Sequence, residues 1–349
     1  MKTKILLFLG LLGCVLDTFS ANANYRFRTM SPEGGFYYDG VKEIEQDQTG
    51  FIWVMMDYEL YRFDGYHYKK YYPYFAKLQP TQKWLFKNMA SDSSGCLYVN
   101  TNNGIYRYES VTDRFEWIYD PVSTVMVDNM DRLWVRVQTL WHQLDVDTGE
   151  LSAPLYDGKK IDYSNVAFCA YHQDLYSFVR QRIYRFNYTE GQFELCYVLP
   201  DTEGNIRFAQ ACKGSLWVFV NKEGLYQIDL TTFRVKKRFK PLSEYDGSSL
   251  RSFYVDNEGQ VWMGTMDGVY ILDTEDGKLS HYKHSRSDPF SLPNNSVWDI
   301  YGDRQSNVWI GMYSGKLCCV NVNESNAFRS WTPKAGGLNY APVSAFAED

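Results

Sequence analysis

Catalysis needs side chains that can move protons, hold metals or attack carbon, and this chain carries few of them at catalytic spacing. Its five histidines are His67, His142, His172, His281 and His284. None forms the His-x-x-x-His pair that sets two imidazoles on one helical face around a metal. His281 and His284 stand three apart, a spacing that turns them to opposite sides of a strand. The sequence contains no Gly-x-Ser-x-Gly elbow, phosphate loop or dinucleotide fingerprint. Paired carboxylates for glycoside hydrolysis are defined by a distance in space that sequence spacing does not reveal. The expectation is a non-catalytic chain with no metal site and no cofactor.

A different chemistry is open to seven residues that occupy one corresponding turn each: Tyr58, Asn102, Arg136, Arg180, Lys222, Asp267 and Tyr313. Tyr58 and Tyr313 offer flat faces on which a sugar ring can lie. Asn102, Arg136, Arg180 and Asp267 offer hydrogen bonds to hydroxyls. Arg136, Arg180 and Lys222 together favour an acidic sugar, because a guanidinium pairs a carboxylate or sulfate through two parallel bonds. These seven form the expected ligand-binding set. The turns differ from one another, which both a shaped ligand site and ordinary drift would produce.

The elements that position them are repeats. A phrase written most fully as Asp47-Gln-Thr-Gly-Phe-Ile-Trp53, Asp256-Asn-Glu-Gly-Gln-Val-Trp262 and Asp303-Arg-Gln-Ser-Asn-Val-Trp309 returns seven times. Its aromatic anchors are Trp53, Tyr98, Trp134, Tyr176, Trp217, Trp262 and Trp309, with separations of 45, 36, 42, 41, 45 and 47 residues. That is the period of a four-stranded propeller blade. The predicted fold is an all-β seven-bladed β-propeller of four-stranded antiparallel blades. Each copy reads as an apolar inner strand, an alternating third strand such as Leu60-Tyr-Arg-Phe-Asp64, and a polar outer strand. The Asp six residues before the anchor, at positions 47, 92, 128, 256 and 303, is expected to stabilise a turn. The fourth and fifth copies depart from the phrase: His172-Gln-Asp-Leu-Tyr176 lacks both the upstream Asp and the Gly, and Cys212-Lys-Gly-Ser-Leu-Trp217 keeps only the Gly.

The first 23 residues have the form of an export signal, with Lys2 and Lys4, an apolar stretch over 5–16 and Ala21-Asn22-Ala23 as the cleavage site. Leu11-Leu12-Gly13-Cys14 approximates a lipoprotein box, a less favoured alternative. Cleavage moves the formal charge from −6 to −7. The densest basic run, Lys236-Lys237-Arg238, is too narrow for a nucleic-acid face. Six cysteines remain after cleavage, in no zinc pattern, and most are expected to be buried as small apolar residues. No further run of eighteen apolar residues occurs, so no membrane span is read within this chain.

The two ends rhyme. Tyr25-Arg-Phe-Arg-Thr-Met-Ser-Pro-Glu-Gly34-Gly35 is similar to Phe328-Arg-Ser-Trp-Thr-Pro-Lys-Ala-Gly336-Gly337. Residues 25–30 are expected to close the ring as the outermost strand of the seventh blade, and 328–349 to open a further, truncated propeller or a C-terminal strand. The domain reading is a signal peptide at 1–23, the propeller at 24–327 and that opening at 328–349.

Asn295-Ser-Val-Trp-Asp-Ile-Tyr-Gly-Asp303, Asn307-Val-Trp-Ile-Gly-Met312 and Gln46-Asp-Gln-Thr-Gly-Phe-Ile-Trp53 resemble the two-component regulator propeller repeat. That repeat is characteristic of the periplasmic sensor region of hybrid two-component systems in Bacteroides-type gut bacteria. The resemblance implies two propellers, a small β-sandwich, one membrane helix, a kinase, a receiver and a DNA-binding domain in the intact receptor. It implies an oligosaccharide ligand from polysaccharide breakdown, with the second propeller and the sandwich as partners and a homodimer left open. Kinase activity would reside in domains this sequence lacks. Two other readings stay open: a non-catalytic scaffold for dimerisation or protein interaction, and a secreted propeller glycosidase or lyase.

Overall fold

A strand packed between neighbouring sheets on both faces can be apolar on both sides, whereas an outer strand must meet water. The second strand of blade 1, Ile52–Met55, is buried throughout, and its outer strand, Tyr68–Tyr71, carries Lys69 and Lys70. The computed structural model describes residues 25–32, 36, 40–71, 85–160, 166–200, 204–239 and 250–322. The expected export signal at 1–23, the expected opening at 328–349, and Tyr37, Tyr38 and Trp84 lie outside them.

Seven antiparallel sheets follow one another along the chain. Their innermost strands are Glu43–Gln46, Phe86–Ser91, Thr124–Val127, Val166–Tyr171, Ile206–Cys212, Ser252–Val255 and Val297–Gly302. The seventh is completed from the other end of the chain. Arg28–Thr29 pairs with Leu317–Asn321, setting Arg28 opposite Cys319 and Thr29 opposite Cys318. The Met30 amide donates to the Leu317 carbonyl at 2.8 Å. Phe27, 1% exposed, meets Tyr282 edge-on at 5.4 Å. The predicted ring closure is therefore the observed one.

Blade 4 differs from the four-stranded expectation. Leu155–Tyr156 adds a fifth strand, parallel to Gln192–Val198. The reason lies in one side chain: Tyr156 is buried, stacks on Phe193 at 4.7 Å and shares a 2.9 Å hydrogen bond with the Ser177 hydroxyl.

The anchors plug each blade into the next. Trp53 packs among Phe86, Met89 and Leu97 of blade 2, and Trp309 among Ile44 and Val54 of blade 1. A buried indole needs an acceptor for its N–H. The Asp six residues upstream supplies it, with Nε1 to Oδ2 distances of 2.8 Å for Trp53, Trp262 and Trp309 and 2.9 Å for Trp134. The other carboxylate oxygen takes the backbone N–H four residues on, closing the turn. Tyr98 uses Asp92 in the same way at 3.3 Å. In the departing fourth blade, Tyr176 turns instead to Asp174 at 3.1 Å. The expected turn role of these Asp residues is thus half of what they do.

An innermost strand has one unpaired edge, and buried edge amides must find acceptors. Here the preceding blade provides them. Glu43 accepts from Met89 N at 2.6 Å, Asn88 from Val125 N at 3.1 Å, Ser252 from Ile300 N at 2.7 Å and Asp299 from Ile44 N at 2.9 Å. Two residues further along, Gln210 accepts from Val255 N at 2.7 Å and the Tyr301 hydroxyl from Gln46 N at 3.1 Å. Tyr254 fits there because position 302 is glycine: a Cβ would stand 1.9 Å from its hydroxyl. These side chains stitch the inner wall of the ring.

The outer edges answer to water. Lys236 and Arg238 of the basic run pair with Asp229 at 2.7 Å and Glu223 at 3.0 Å, so the run is a solvated strand edge. Of the six cysteines, all free, Cys169 and Cys318 are buried and the others half-buried. Cys318 and Cys319 fall on opposite faces of their strand, Cys318 fully covered.

Candidate functional site

The turns joining second and third strands are held to the segments that lead into innermost strands, which places both on one face. Phe86 N donates to Asp57 O at 2.8 Å, Asn102 N to Leu85 O at 2.9 Å and Ile206 N to Arg180 O at 3.1 Å. Gly268 N donates to Asn295 O at 2.6 Å, Tyr313 N to Ser296 O at 2.9 Å and Val41 N to Met312 O at 3.0 Å. The seven expected ligand residues consequently lie one to a blade around this face, and no single spot gathers them.

Their availability differs. Tyr58 is 50% exposed beside an ion pair of Lys42 with Asp57. Asn102 is already engaged, its Oδ1 accepting from Leu85 N and from Asn103 Nδ2 at 3.1 Å each. Arg136 is half-buried on the strand Leu133–Val137, opposite Thr124 and Trp141, and its Nε is buried without an acceptor. Arg180 and Lys222 are exposed residues at φ of 58° and 65°, left-handed turn positions. Asp267 is held by Lys283 at 2.6 Å with His281 at 3.9 Å. Tyr313 is 62% exposed, with its ring 5.6 Å from that of Trp298.

Two residues absent from the expected set complete the best-formed part of this face. The Arg251 guanidinium lies 4.2 Å from the centre of the Trp298 ring, and its Nη1 donates to the Ser296 hydroxyl at 3.2 Å. Arg251, Trp298 and Tyr313 form a stepped shelf across blades 6 and 7. A register signal could have found them. Residues facing the anchors across the first strand pair are Glu45, Ala90, Met126, Cys169, Gln210, Tyr254 and Tyr301. Three positions earlier stand Lys42, Lys87, Ser123, Val166, Arg207, Arg251 and Trp298, four of them cations at one end of the innermost strands.

Deeper in the ring, burial raises three carboxyls. Glu45 is pushed up to about 8 by desolvation and Asp299 to about 6, while Glu43 is held well above its ordinary range by burial and by neighbouring Glu45. Glu45 retains some exposed area, yet its carboxyl sits at the enclosed inner wall where water is scarce. These groups accept from Met89 N, Ile44 N and the Ser91 and Ser252 hydroxyls. Among the described residues, no group of three or more His, Cys, Asp or Glu is placed to hold a metal ion. His281 stacks on Tyr270 and His284 turns to the Leu292 carbonyl, so the two serve separate contacts.

The opposite face has a cleft of about 500 Å³ between blades 1 and 2, lined by Gln48, Phe51, Arg62, Ser94 and Arg107. Arg62 is occupied there, 4.5 Å over Phe51, bonded to the Tyr108 hydroxyl at 2.5 Å and 3.6 Å from Asp113. Arg62 is therefore already satisfied by the protein.

Residues 291–314 match the profile of the family described as "Two component regulator propeller". That match covers two of the three phrases that resemble the repeat, 295–303 and 307–312, and not the one at 46–53. A search of curated protein sequences finds no match. Among solved structures, the chain is similar to an extracellular domain of a hybrid two component system from B. thetaiotaomicron, at 20% identity and a TM-score of 0.66, over 86% of this chain and 40% of that one. It is similar to another such domain from the same organism at 19% identity and a TM-score of 0.63, over 85% and 42%. Virginiamycin B lyase from Staphylococcus aureus matches at 12% identity and a TM-score of 0.59, over 85% of this chain and 99% of that one. At these identities the likeness is one of fold. The chain spans about two fifths of the length of the two hybrid-system domains.

Proposed function

We propose that this chain is the first periplasmic sensor module of a hybrid two-component receptor, and that its turn face receives an oligosaccharide released from a polysaccharide. The observation that carries the ligand reading is the shelf of Arg251, Trp298 and Tyr313. An exposed aromatic face with a fixed guanidinium beside it is what a sugar ring and its hydroxyls need. The regulator repeat at 291–314 and the fold shared with extracellular domains of hybrid systems support the receptor reading. On this reading residues 1–23 direct export, 24–327 form the propeller, and 328–349 begin the next module. A second propeller and a β-sandwich are the partners, tethered through the intact receptor to the inner membrane. Lipid attachment and homodimerisation are alternative arrangements.

The module is non-catalytic. Its perturbed carboxyls accept hydrogen bonds from backbone amides and hydroxyls along the inner wall, the work of a structural group and not of a free acid or base. The lyase fold likeness argues for nothing more, since fold alone does not carry chemistry. Release of new reducing ends from a broad glycan panel would replace this reading with that of a propeller hydrolase or lyase.

The test is thermal melting with oligosaccharide pools from several polysaccharides. One pool is expected to raise Tm, and Tyr313→Ala and Trp298→Ala to weaken its binding by roughly tenfold each, the size of one aromatic contact. Arg180→Ala and Lys222→Ala, on blades 4 and 5, are expected to leave it within about twofold. A shift that survives in both aromatic variants moves the site elsewhere. No shift with any pool favours the scaffold reading.

A further inference from the structure

The cation of the shelf differs in its surroundings from three lysines on this face. Lys42 is paired with Asp57, and Lys283 with Asp267. Lys87 donates to the Val122 carbonyl at 2.6 Å. Arg251 has one hydrogen bond, to the neutral Ser296 hydroxyl, and one face covered by Trp298. Among the described residues no carboxylate pairs with it. The nearest acid in sequence to Trp298 is Asp299, and both its oxygens are spent, on Ile44 N at 2.9 Å and on Ser252 Oγ at 3.1 Å. A partly dehydrated guanidinium with no counter-charge costs free energy, and burial correspondingly weakens its hold on the proton. Among the described residues, the rest of its five-donor fork has no hydrogen-bond partner.

We infer that this shelf selects a uronic sugar, with the ring lying on Tyr313 and Trp298 and its carboxylate bridged by the free edge of the Arg251 guanidinium. Guanidinium and carboxylate are both planar and match through two parallel N–H to O bonds, a geometry that a neutral hydroxymethyl group cannot offer. Stacking on Trp298 fixes the guanidinium before the ligand arrives, so little rotamer freedom is lost on binding. Asp267, on the neighbouring turn, does not repel the carboxylate strongly because Lys283 holds it. The acidic-sugar preference expected from Arg136, Arg180 and Lys222 thus moves to the other side of the ring, where a cation lies beside an aromatic face. The inference rests on the reading of this face as an oligosaccharide site and adds the charge of its ligand.

The experiment is a tryptophan-fluorescence titration with D-galacturonate and D-glucuronate, each against its methyl ester, on the full chain. The ester keeps the ring and removes the charge. At least one acid is expected to bind about tenfold or more tightly than its ester, with the difference shrinking as salt is raised. Arg251→Gln is expected to abolish the difference while its Tm stays near wild type, and Arg251→Lys to keep only part of it. Equal binding of acid and ester overturns the inference, as does an acid preference that persists in Arg251→Gln. Either result leaves the glycan reading standing if neutral oligosaccharides still bind in a Tyr313-dependent way. Failure of acids, esters and neutral pools alike overturns both.

Discussion

At Asp256 one carboxylate holds three donors: Trp262 Nε1 at 2.8 Å and the Glu258 and Gln260 amides at 2.9 Å each. The group is buried, and burial raises its proton affinity against the pull of those bonds. Asp256→Ala leaves three donors unsatisfied, and its unfolding free energy in urea is expected to fall by roughly 2–4 kcal/mol. Asp256→Asn keeps an acceptor and sheds the charge, so its loss should be the smaller of the two. An Ala variant within about 0.5 kcal/mol of wild type would show that the bond to the indole is incidental. The Asp and the Trp were both legible in the sequence as a recurring pair. Their bond was not, because six residues along the chain say nothing of how a turn folds one side chain under another.

At the level of elements, the ring depends on a strand far from its partners in sequence. Arg28–Thr29 contributes only two ladder residues, so its anchorage comes from Phe27 on one side and the Met30 amide on the other. Phe27→Ala is expected to cost about 3–5 kcal/mol, the ordinary price of emptying a buried aromatic site, read as a lowered urea midpoint. Val111→Ser, at an exposed turn of blade 2, should stay within about 0.5 kcal/mol. If Phe27→Ala behaves like Val111→Ser, the closing strand is not a stability element. The similarity of residues 25–35 to 328–337 announced this strand. The fifth strand on blade 4 had no such signal, since Leu155–Tyr156 is held there by the Tyr156 ring and not by any repeat.

For the whole molecule, the inner wall sets a pH dependence. Folded Glu45 and Asp299 hold their protons up to about 8 and about 6, above the ordinary carboxyl range. The unfolded chain therefore binds fewer protons than the folded one between the ordinary values and those, and stability falls as pH rises through this window. Below the ordinary range both states are protonated and the effect vanishes. Glu45→Gln removes one of these steps, so its Tm is expected to exceed wild type at pH 8 and to match it near pH 4. A wild-type-like decline of Tm with pH in Glu45→Gln would sink this assignment. These carboxyls lie on blades 1 and 7, the two that meet where the chain closes the ring.

The sequence by itself determined the number of blades, their order and the anchors, because each follows from a local period repeated seven times, and it announced the closing strand through the likeness of its two ends. It also placed Tyr58, Asp267 and Tyr313 in corresponding turns. Only the tertiary structure decided which of those turns share a surface with a usable cation. Arg251 and Tyr313 are 62 residues apart in the sequence, and they meet because one begins an innermost strand and the other ends a hairpin on the next blade. The same holds for the acceptors of the inner wall: a polar residue on one first strand serves an amide roughly 35–50 positions away, or across the ring closure, more than 250 positions back. Periodicity fixes what each unit is, and packing between units fixes what any side chain can touch.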